Sequence, residues 1–584
     1  MWKFSVWAPN PASVEVHVAG HNYAMTRSDD DWWSATIEGV DAGSDYGFVV
    51  DGSGPYPDPR SRWQPHGVHG LSRTFDHADF SWTDERWQPP PLSSAIIYEL
   101  HVGTFTGEGT FESAIEKLDY LVELGVTHIE LMPVNEFSGE WGWGYDGVDL
   151  YAPHHAYGGP TGLKTLIDAC HARGLGVILD VVYNHFGPTG NYLSIYGSYF
   201  TDHHSTPWGS AVNLDSAGSL EPRRFFIDNA LMWLRDYHFD GLRLDAVHAL
   251  MDQSAIHFLE QLSRSVSDLA EQLGRYKFLV AESDLNDPRI VRPPESGGYG
   301  LDAQWSDDFH HAIHAALTGE VAGYYEDFGG TEAMAKALRD SFVYDGVESK
   351  HRGRVHGRPA RDVPSHRFLG YSQTHDQVGN RARGERLCHL TNFARAKMAA
   401  ALVVASPFIP MLFQGEEWAA SSPFQYFTHH EEEQLARAVS EGRRREFASF
   451  VWRPEQVPDP QDPATFERSK LNWAEIGASP HEEMLRWYLD LIRLRRSQPA
   501  LAAARSVDFE ASGANEMLYM RRGNVRLFGN LSGKDVTVAV SNSRVLLASD
   551  ARCRFQGEEL AIPTDATVII SEIVPERSAE RSAA

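Results

Sequence analysis

Four short segments each place a carboxylate beside other polar side chains at the end of an apolar run. They are Asp180 in DVVYNH, Asp245 in GLRLDAVH, Glu282 in FLVAESD and Asp376 in QTHDQ. Cleaving a glycosidic bond with retention needs one carboxylate as nucleophile and a second carboxyl as acid, then base, about 5–5.5 Å away. The two must titrate apart, so that one is ionised while the other keeps its proton. Arg243 stands two residues before Asp245, so on a strand both side chains point to one face. A guanidinium there favours the ionised carboxylate, which suits a nucleophile. Glu282 follows the apolar run FLVA. Partial burial would favour its protonated form, which suits a general acid. Taken alone, Arg243–Asp245 reads equally well as a structural ion pair.

Such groups need a scaffold that brings distant segments to one rim. From Ala95 the chain alternates apolar strand, loop and amphipathic helix. The strand candidates are AIIYELHV, THIELMPV, GVILDVVY, GLRLDAV, FLVAES, LDAQWS, FLGYSQTH and FIPMLFQG. Helical stretches such as FESAIEKLDYLVELG and GLKTLIDACHARG lie between them, with Gly125 and Gly174 at C-cap positions. About eight βα units predict an α/β fold, a (β/α)8 barrel whose active site sits at the C-terminal ends of the strands. The third, fourth, fifth and seventh candidates then carry the four acids to that rim.

The rest of the chain predicts two β domains. Residues 1–90 read as an N-terminal β-sandwich, with WKFSVWAP, SVEVHVAG, WWSATIEG and YGFVVDG as strands and a Pro-rich joint, WQPPPLSS. The barrel is expected over 91–500, with an irregular insertion at about 184–222 and a last helix in EEMLRWYLDLIRLRRSQPAL. Strand rhythm returns from about Ser506 in EMLYMRRG, VRLFGNLS, DVTVAVSN and ATVIISEI, giving a C-terminal antiparallel β domain and tail over 501–584. The tail ERSAERSAA is expected to be disordered.

Composition excludes other classes. Asp and Glu number 80 against 52 Lys and Arg, a net charge of -28, which argues against nucleic acid and anionic membranes as partners. A neutral sugar is not repelled. Cys170, Cys388 and Cys553 are too scattered for a disulfide framework or zinc site. The N-terminus has no basic segment followed by a long apolar core, and no apolar run approaches the ~20 residues of a membrane span. A cytoplasmic location is the expectation.

DVVYNH, GLRLDAVH, AESD and QTHDQ, in this order and spacing, closely resemble the four successive conserved regions of the α-amylase superfamily, glycoside hydrolase family 13. The resemblance implies that Asp245 is the nucleophile, Glu282 the acid/base and Asp376 the third, transition-state-stabilising carboxylate. It implies that His185 and His375 hydrogen-bond the sugar in the cleavage subsite, that Asp180 orients Arg243, and that Tyr145 in WGYDG stacks under that sugar. His248, in the fourth-strand motif, is counted with these substrate-binding residues. FSVWAP, the Met25–Trp33 region and YGFVVDG resemble the module that precedes the barrel in branching enzymes, isoamylases and maltooligosyltrehalose trehalohydrolases.

Two loops lean toward the trehalohydrolases. AESDLNDPR resembles their acid/base loop, and GEEWAASSPFQYFTHH, residues 415–430, resembles their loop after the eighth strand. The implied reaction is hydrolysis of the α-1,4 bond beside the terminal trehalose of a maltooligosyltrehalose, releasing trehalose and a maltooligosaccharide. Phe424, Tyr426, His429 and His430 are candidates for clasping the trehalose. Local packing is their alternative. The rival functions are a 1,4-α-glucan branching enzyme, a debranching hydrolase and a catalytically silent amylase-like binding protein. No cofactor is expected. The implied metabolic partner is a maltooligosyltrehalose synthase acting upstream. The pairs His154–His155, His203–His204, His310–His311 and His429–His430 are not expected to bind metal, because adjacent residues on a strand face opposite ways. Asn184 matches a calcium ligand of many α-amylases, but partner ligands are not identifiable.

Overall fold

The computed structural model describes residues 1–206, 209–448, 456–502 and 508–573. The ERSAERSAA tail and the start of the C-terminal strand rhythm at Ser506 lie outside the described residues.

Eight parallel strands close into a barrel: β1 Ile97–Leu100, β2 His128–Leu131, β3 Gly176–Val181, β4 Gly241–Leu244, β5 Phe278–Ala281, β6 Ala303–Trp305, β7 Phe368–Gly370 and β8 Ile409–Phe413. Each falls within one of the eight apolar runs. Every residue of the eight is buried, as strands covered on both faces must be. The helix Gly159–Ala172 buries Leu163, Leu166, Ile167 and Cys170, a stripe at helical spacing. Gly125 ends the helix Leu118–Leu124 at φ 95°, where its N–H donates to the carbonyls of Leu121 and Val122. A Cβ there would meet the left-handed penalty that glycine avoids.

Three details differ from the sequence reading. The stretch FESAIEKLDYLVELG forms two helices, Phe111–Ile115 and Leu118–Leu124. The insertion contains regular structure, the strands Phe200–Thr206 and Gly209–Val212 paired antiparallel, and the helix after it starts at Leu220. β7 stops at Gly370, so His375 and Asp376 are not on a strand. Thr374 instead caps a short helix, His375–Gly379, its Oγ1 accepting from the Asp376 N–H at 3.2 Å.

The chain forms two compact units. The first comprises Met1–Trp305, Gln373–Arg386 and Met411–Gly477. It includes the N-terminal sandwich, in which Trp2–Trp7, Trp32–Ile37 and Thr26–Arg27 make one sheet. His21–Ala24, Val14–Val18, Asp45–Val50 and Ser53–Tyr56 make the other. Its linker is bound to the barrel wall: His171 lies between Asp84 and Asp240, at 2.8 and 3.1 Å. The second unit comprises Ser306–Ser372, Leu387–Pro410 and Ala478–Ala584. There the antiparallel sheet that starts at Phe509–Ala514 packs on the helix Thr331–Asp340 so closely that a Cβ on Gly513 would lie 2.2 Å from the Thr331 carbonyl. Buried Arg495 and Arg522 donate to the carbonyls of Val404, Ala405, Ser406 and Phe408 at the end of the helix Phe393–Ala405. Those carbonyls have no partner within the helix, and cations suit that end of its dipole.

Candidate active site

The ladder itself assembles the barrel's polar layer. Glu99 on β1 pairs in register with Glu130 on β2, and Asp180 on β3 with Arg243 on β4. All four are almost wholly buried. Charges this deep persist only when paired. Arg243 Nη1 donates to both Asp180 oxygens, at 2.8 and 2.7 Å, and to Asp245 Oδ1 at 2.8 Å. Its Nη2 lies 3.1 Å from Glu282 Oε2. Its guanidinium carbon sits 4.3 Å from the Trp305 ring centroid, a cation–π contact. One guanidinium thus holds three carboxylates.

Asp245 and Glu282 each follow the last residue of their strand and continue the ladder. Asp245 N–H donates to the Val181 carbonyl and Glu282 N–H to that of Leu244, both at 3.0 Å. The chain then turns at Ala246, φ 40°, a left-handed conformation that a Cβ disfavours. The turn aims the Ala246 N–H at Glu282 Oε2, 2.7 Å away. Asn184 donates its amide to Asp245 twice, at 2.9 Å to the carbonyl and 2.7 Å to Oδ2. Its amide oxygen meets His185 Nδ1. Asp245 and Glu282 keep 11% and 16% of their side-chain surface, and Asp376 keeps 34%. All three open to solvent while the groups beneath them do not.

A second chain of contacts joins the helix His375–Gly379 to β1. His375 Nδ1 lies 2.5 Å from Glu99 Oε1, and Nε2 lies 2.7 Å from the Tyr145 hydroxyl and 3.5 Å from Asp376 Oδ2. The Tyr145 hydroxyl donates to Asp180 Oδ2 at 2.6 Å. Burial alone would lower the His375 pKa, but Asp376 and Glu99 outweigh it and push it up to about 9. His375 is therefore an imidazolium near neutrality, with both nitrogens donating. Asp180 is pushed up to about 6 by burial, against the opposing pull of Arg243. Burial, then Glu99 and Asp180, push the Glu130 carboxyl well above the usual carboxylate range. Asp180, Arg243 and His375 lie under the surface, at 1%, 0% and 1% exposure. From there they contact Tyr145, Asp245, Glu282 and Asp376.

Tyr145 and His185 are half-buried and adjoining, with His185 Nε2 3.1 Å from the Tyr145 carbonyl. His248 is half-buried beside the acid/base loop, its Nδ1 accepting from Asp284 N–H at 3.4 Å. In the eighth-strand loop, Tyr426 stands edge-on to Trp143 and under Arg443, and His429 stacks on Trp141 at 4.0 Å. Both keep exposed surface. Phe424 does not: it is fully buried among Trp143, Phe413, Phe427 and His101, so it cannot clasp a sugar. A ring so enclosed is worth more to packing than to solvent. His430 is also buried.

Sequence reasoning missed Glu99, Glu130, Trp305 and the role of Asn184. A glutamate inside the apolar run IIYELHV is an anomaly that signals a buried partner. Trp305 carries no such signal. The expectation for His154–His155 needs correction. Strand Gly147–Pro153 ends before them and the chain turns, so both rings reach Glu136, at 3.3 and 2.7 Å.

Comparison with known proteins fits this geometry. Residues 74–206 match the model of the alpha amylase catalytic domain, and residues 1–64 that of carbohydrate-binding module 48, the isoamylase N-terminal domain. A malto-oligosyltrehalose trehalohydrolase from Arthrobacter ramosus is 51% identical over 97% of this chain and 99% of its own. Another, from Saccharolobus solfataricus, is 47% identical over 87% of each. The chain belongs to the malto-oligosyltrehalose trehalohydrolase family. A 1,4-alpha-glucan branching enzyme from Corynebacterium jeikeium is only 28% identical, over 71% of this chain and 60% of its own. Among solved structures, a Salmonella typhimurium protein provisionally described as an alpha amylase superposes with a TM-score of 0.90 at 38% identity, over 98% of this chain and 97% of that one. The barrel, sandwich and C-terminal sheets seen here accord with these matches. No helix among the described residues is long and apolar enough to cross a membrane.

Proposed function

We propose that the protein hydrolyses the α-1,4 bond next to the terminal trehalose of a maltooligosyltrehalose, with retention. The observation that carries the reading is the single guanidinium of Arg243 holding Asp180, Asp245 and Glu282. It holds two solvent-open carboxylates on one side chain, and a retaining mechanism needs such a close pair, ~5–5.5 Å apart. Asp245 attacks the anomeric carbon as the bond to the leaving trehalose breaks. Glu282 gives its proton to the departing oxygen. Water, deprotonated by Glu282, then displaces Asp245 and regenerates both groups. Asp376 grips sugar hydroxyls and stabilises the oxocarbenium-like transition state. Tyr145 and His185 form the floor of the subsite.

The name shared by the full-length relatives supports trehalose as the leaving group. Tyr426, His429 and His248 are the residues proposed to contact it. The domain reading accompanies this proposal: sandwich 1–90, barrel 91–500, C-terminal β domain 501–584. The enzyme would act in the cytoplasm after a synthase that makes the α,α-1,1 bond. The test is to incubate the protein separately with maltoheptaose and with a maltooligosyltrehalose of similar length. Rapid trehalose release from the second and slow cutting of the first supports the reading. Equal cutting of maltoheptaose, or chain rearrangement, overturns it in favour of an amylase or branching enzyme.

A further inference from the structure

The hairpin that carries Tyr145 contains a second polar cluster, which shares no residue with the active site. Glu136 is fully buried on the strand Asn135–Phe137. Its Oε1 lies 2.7 Å from His155 Nδ1 and 3.3 Å from His154 Nδ1, and its Oε2 accepts from the His155 N–H at 2.8 Å. Ligand atoms of all three side chains lie within 4.8 Å of one another. His154 is fully buried and stacked on Phe137 at 3.8 Å, and among the described residues neither ring nitrogen makes a well-aligned hydrogen bond, Nδ1 having only the 3.3 Å approach of Glu136. A buried imidazole ordinarily satisfies at least its N–H.

The neighbours share the same deficit. Asp149 faces Glu136 across the ladder, buried, with Oδ2 unpartnered among the described residues. Asn135 Oδ1, one residue before Glu136, is a further buried acceptor without a donor among them. The cluster has lone pairs in excess of donors, which is what a cation would answer.

We infer that Glu136, His154 and His155 form a binding site for a zinc-class divalent transition-metal ion. Bonds of about 2.0–2.1 Å in a tetrahedral arrangement separate ligand atoms by about 3.3–3.4 Å. Glu136 Oε1 and His154 Nδ1 already stand 3.3 Å apart. The 2.7 Å separation of Glu136 from His155 is a hydrogen bond, and it opens by about 0.6 Å when the ion replaces the shared proton. Two imidazoles and one carboxylate suit zinc, cobalt or nickel better than magnesium or calcium. The His155 side chain keeps 27% of its surface, so water can reach the fourth position. Such an ion joins Asn135–Phe137 to the end of Gly147–Pro153, the two bases of the loop that holds Trp143 and Tyr145. It braces the hydroxyl that bonds Asp180 and His375.

The test uses the full chain, stripped with a chelator and titrated with cobalt(II), then zinc(II). Expected are saturable binding of roughly one ion per chain, the visible absorption of low-coordinate cobalt, and a rise in thermal midpoint. His155→Ala and Glu136→Gln should each weaken binding by about 100-fold or more. A zinc-soaked crystal should show an anomalous peak between the three side chains, a readout that survives if either variant fails to fold. Absence of saturable binding, binding undiminished in both variants, or an anomalous peak elsewhere overturns the inference.

Discussion

Replacing Glu99 with Gln tests whether the buried pair beneath Tyr145 sets the alkaline limit of the enzyme. Glu99 is 1% exposed and is separated from any substrate by His375, so the change removes a charge without touching sugar. The folded pKa of His375 is raised from 6.5 to about 9. Its contribution to stability is therefore fully present below 6.5 and is lost as pH rises through about 9. A shift of that size corresponds to about 3 kcal/mol. Asp376 is the largest of the raising influences and Glu99 the next, with burial opposing both. Without Glu99 the balance tips toward the neutral ring. A fall of about two units would leave activity near pH 6 little changed and reduce it roughly twentyfold at pH 8.5. The assay is the pH profile of kcat for trehalose release, alongside the pH dependence of the thermal midpoint. A merely structural role for Glu99 would lower activity evenly at all pH values. An alkaline limb unmoved from that of the parent would refute the reasoning.

Other predictions follow from the same contacts. Asp245→Asn, Glu282→Gln and Asp376→Asn should each lower kcat by roughly a thousandfold or more with the fold intact, and near-normal turnover would remove that residue from the mechanism. Arg243→Lys cannot hold three carboxylates with a point charge. It should cost about 3–5 kcal/mol of stability in chemical denaturation and most of the activity, because Asp180 is left buried without its partner. Asn184→Asp replaces a donor to Asp245 with a like charge and should depress kcat more than KM in steady-state assays. Phe424→Ala should destabilise by about 3–5 kcal/mol through a core cavity, read as a lower thermal midpoint. Tyr426→Ala with His429→Ala should reduce the preference for trehalose-terminated over plain maltooligosaccharides, read as the ratio of kcat/KM on the two substrates.

The sequence by itself determined the barrel and the identity of the candidate acids. Eight apolar runs alternating with amphipathic helices are the count of a closed parallel barrel, and all eight became strands. The i, i+2 spacing of Arg243 and Asp245 put both on one strand face, and they meet at 2.8 Å. Tertiary structure decided what lies beneath them. That His375 and Asp376 sit on a capped helix rather than on β7 depends on where the strand stops, which local pattern does not encode. That Glu99 serves His375, 276 residues away, depends on barrel closure bringing the first strand beside the last. The same closure buried Phe424, whose sequence neighbours Tyr426 and His429 keep exposed surface, because a loop's inward and outward faces follow no period. The cluster at Glu136 became visible only once the chain turned after Pro153 and brought two adjacent histidines to one carboxylate. Periodicity fixes which face a residue takes within an element. Contacts between residues far apart in the chain, which set burial and charge pairing, exist only in the folded whole.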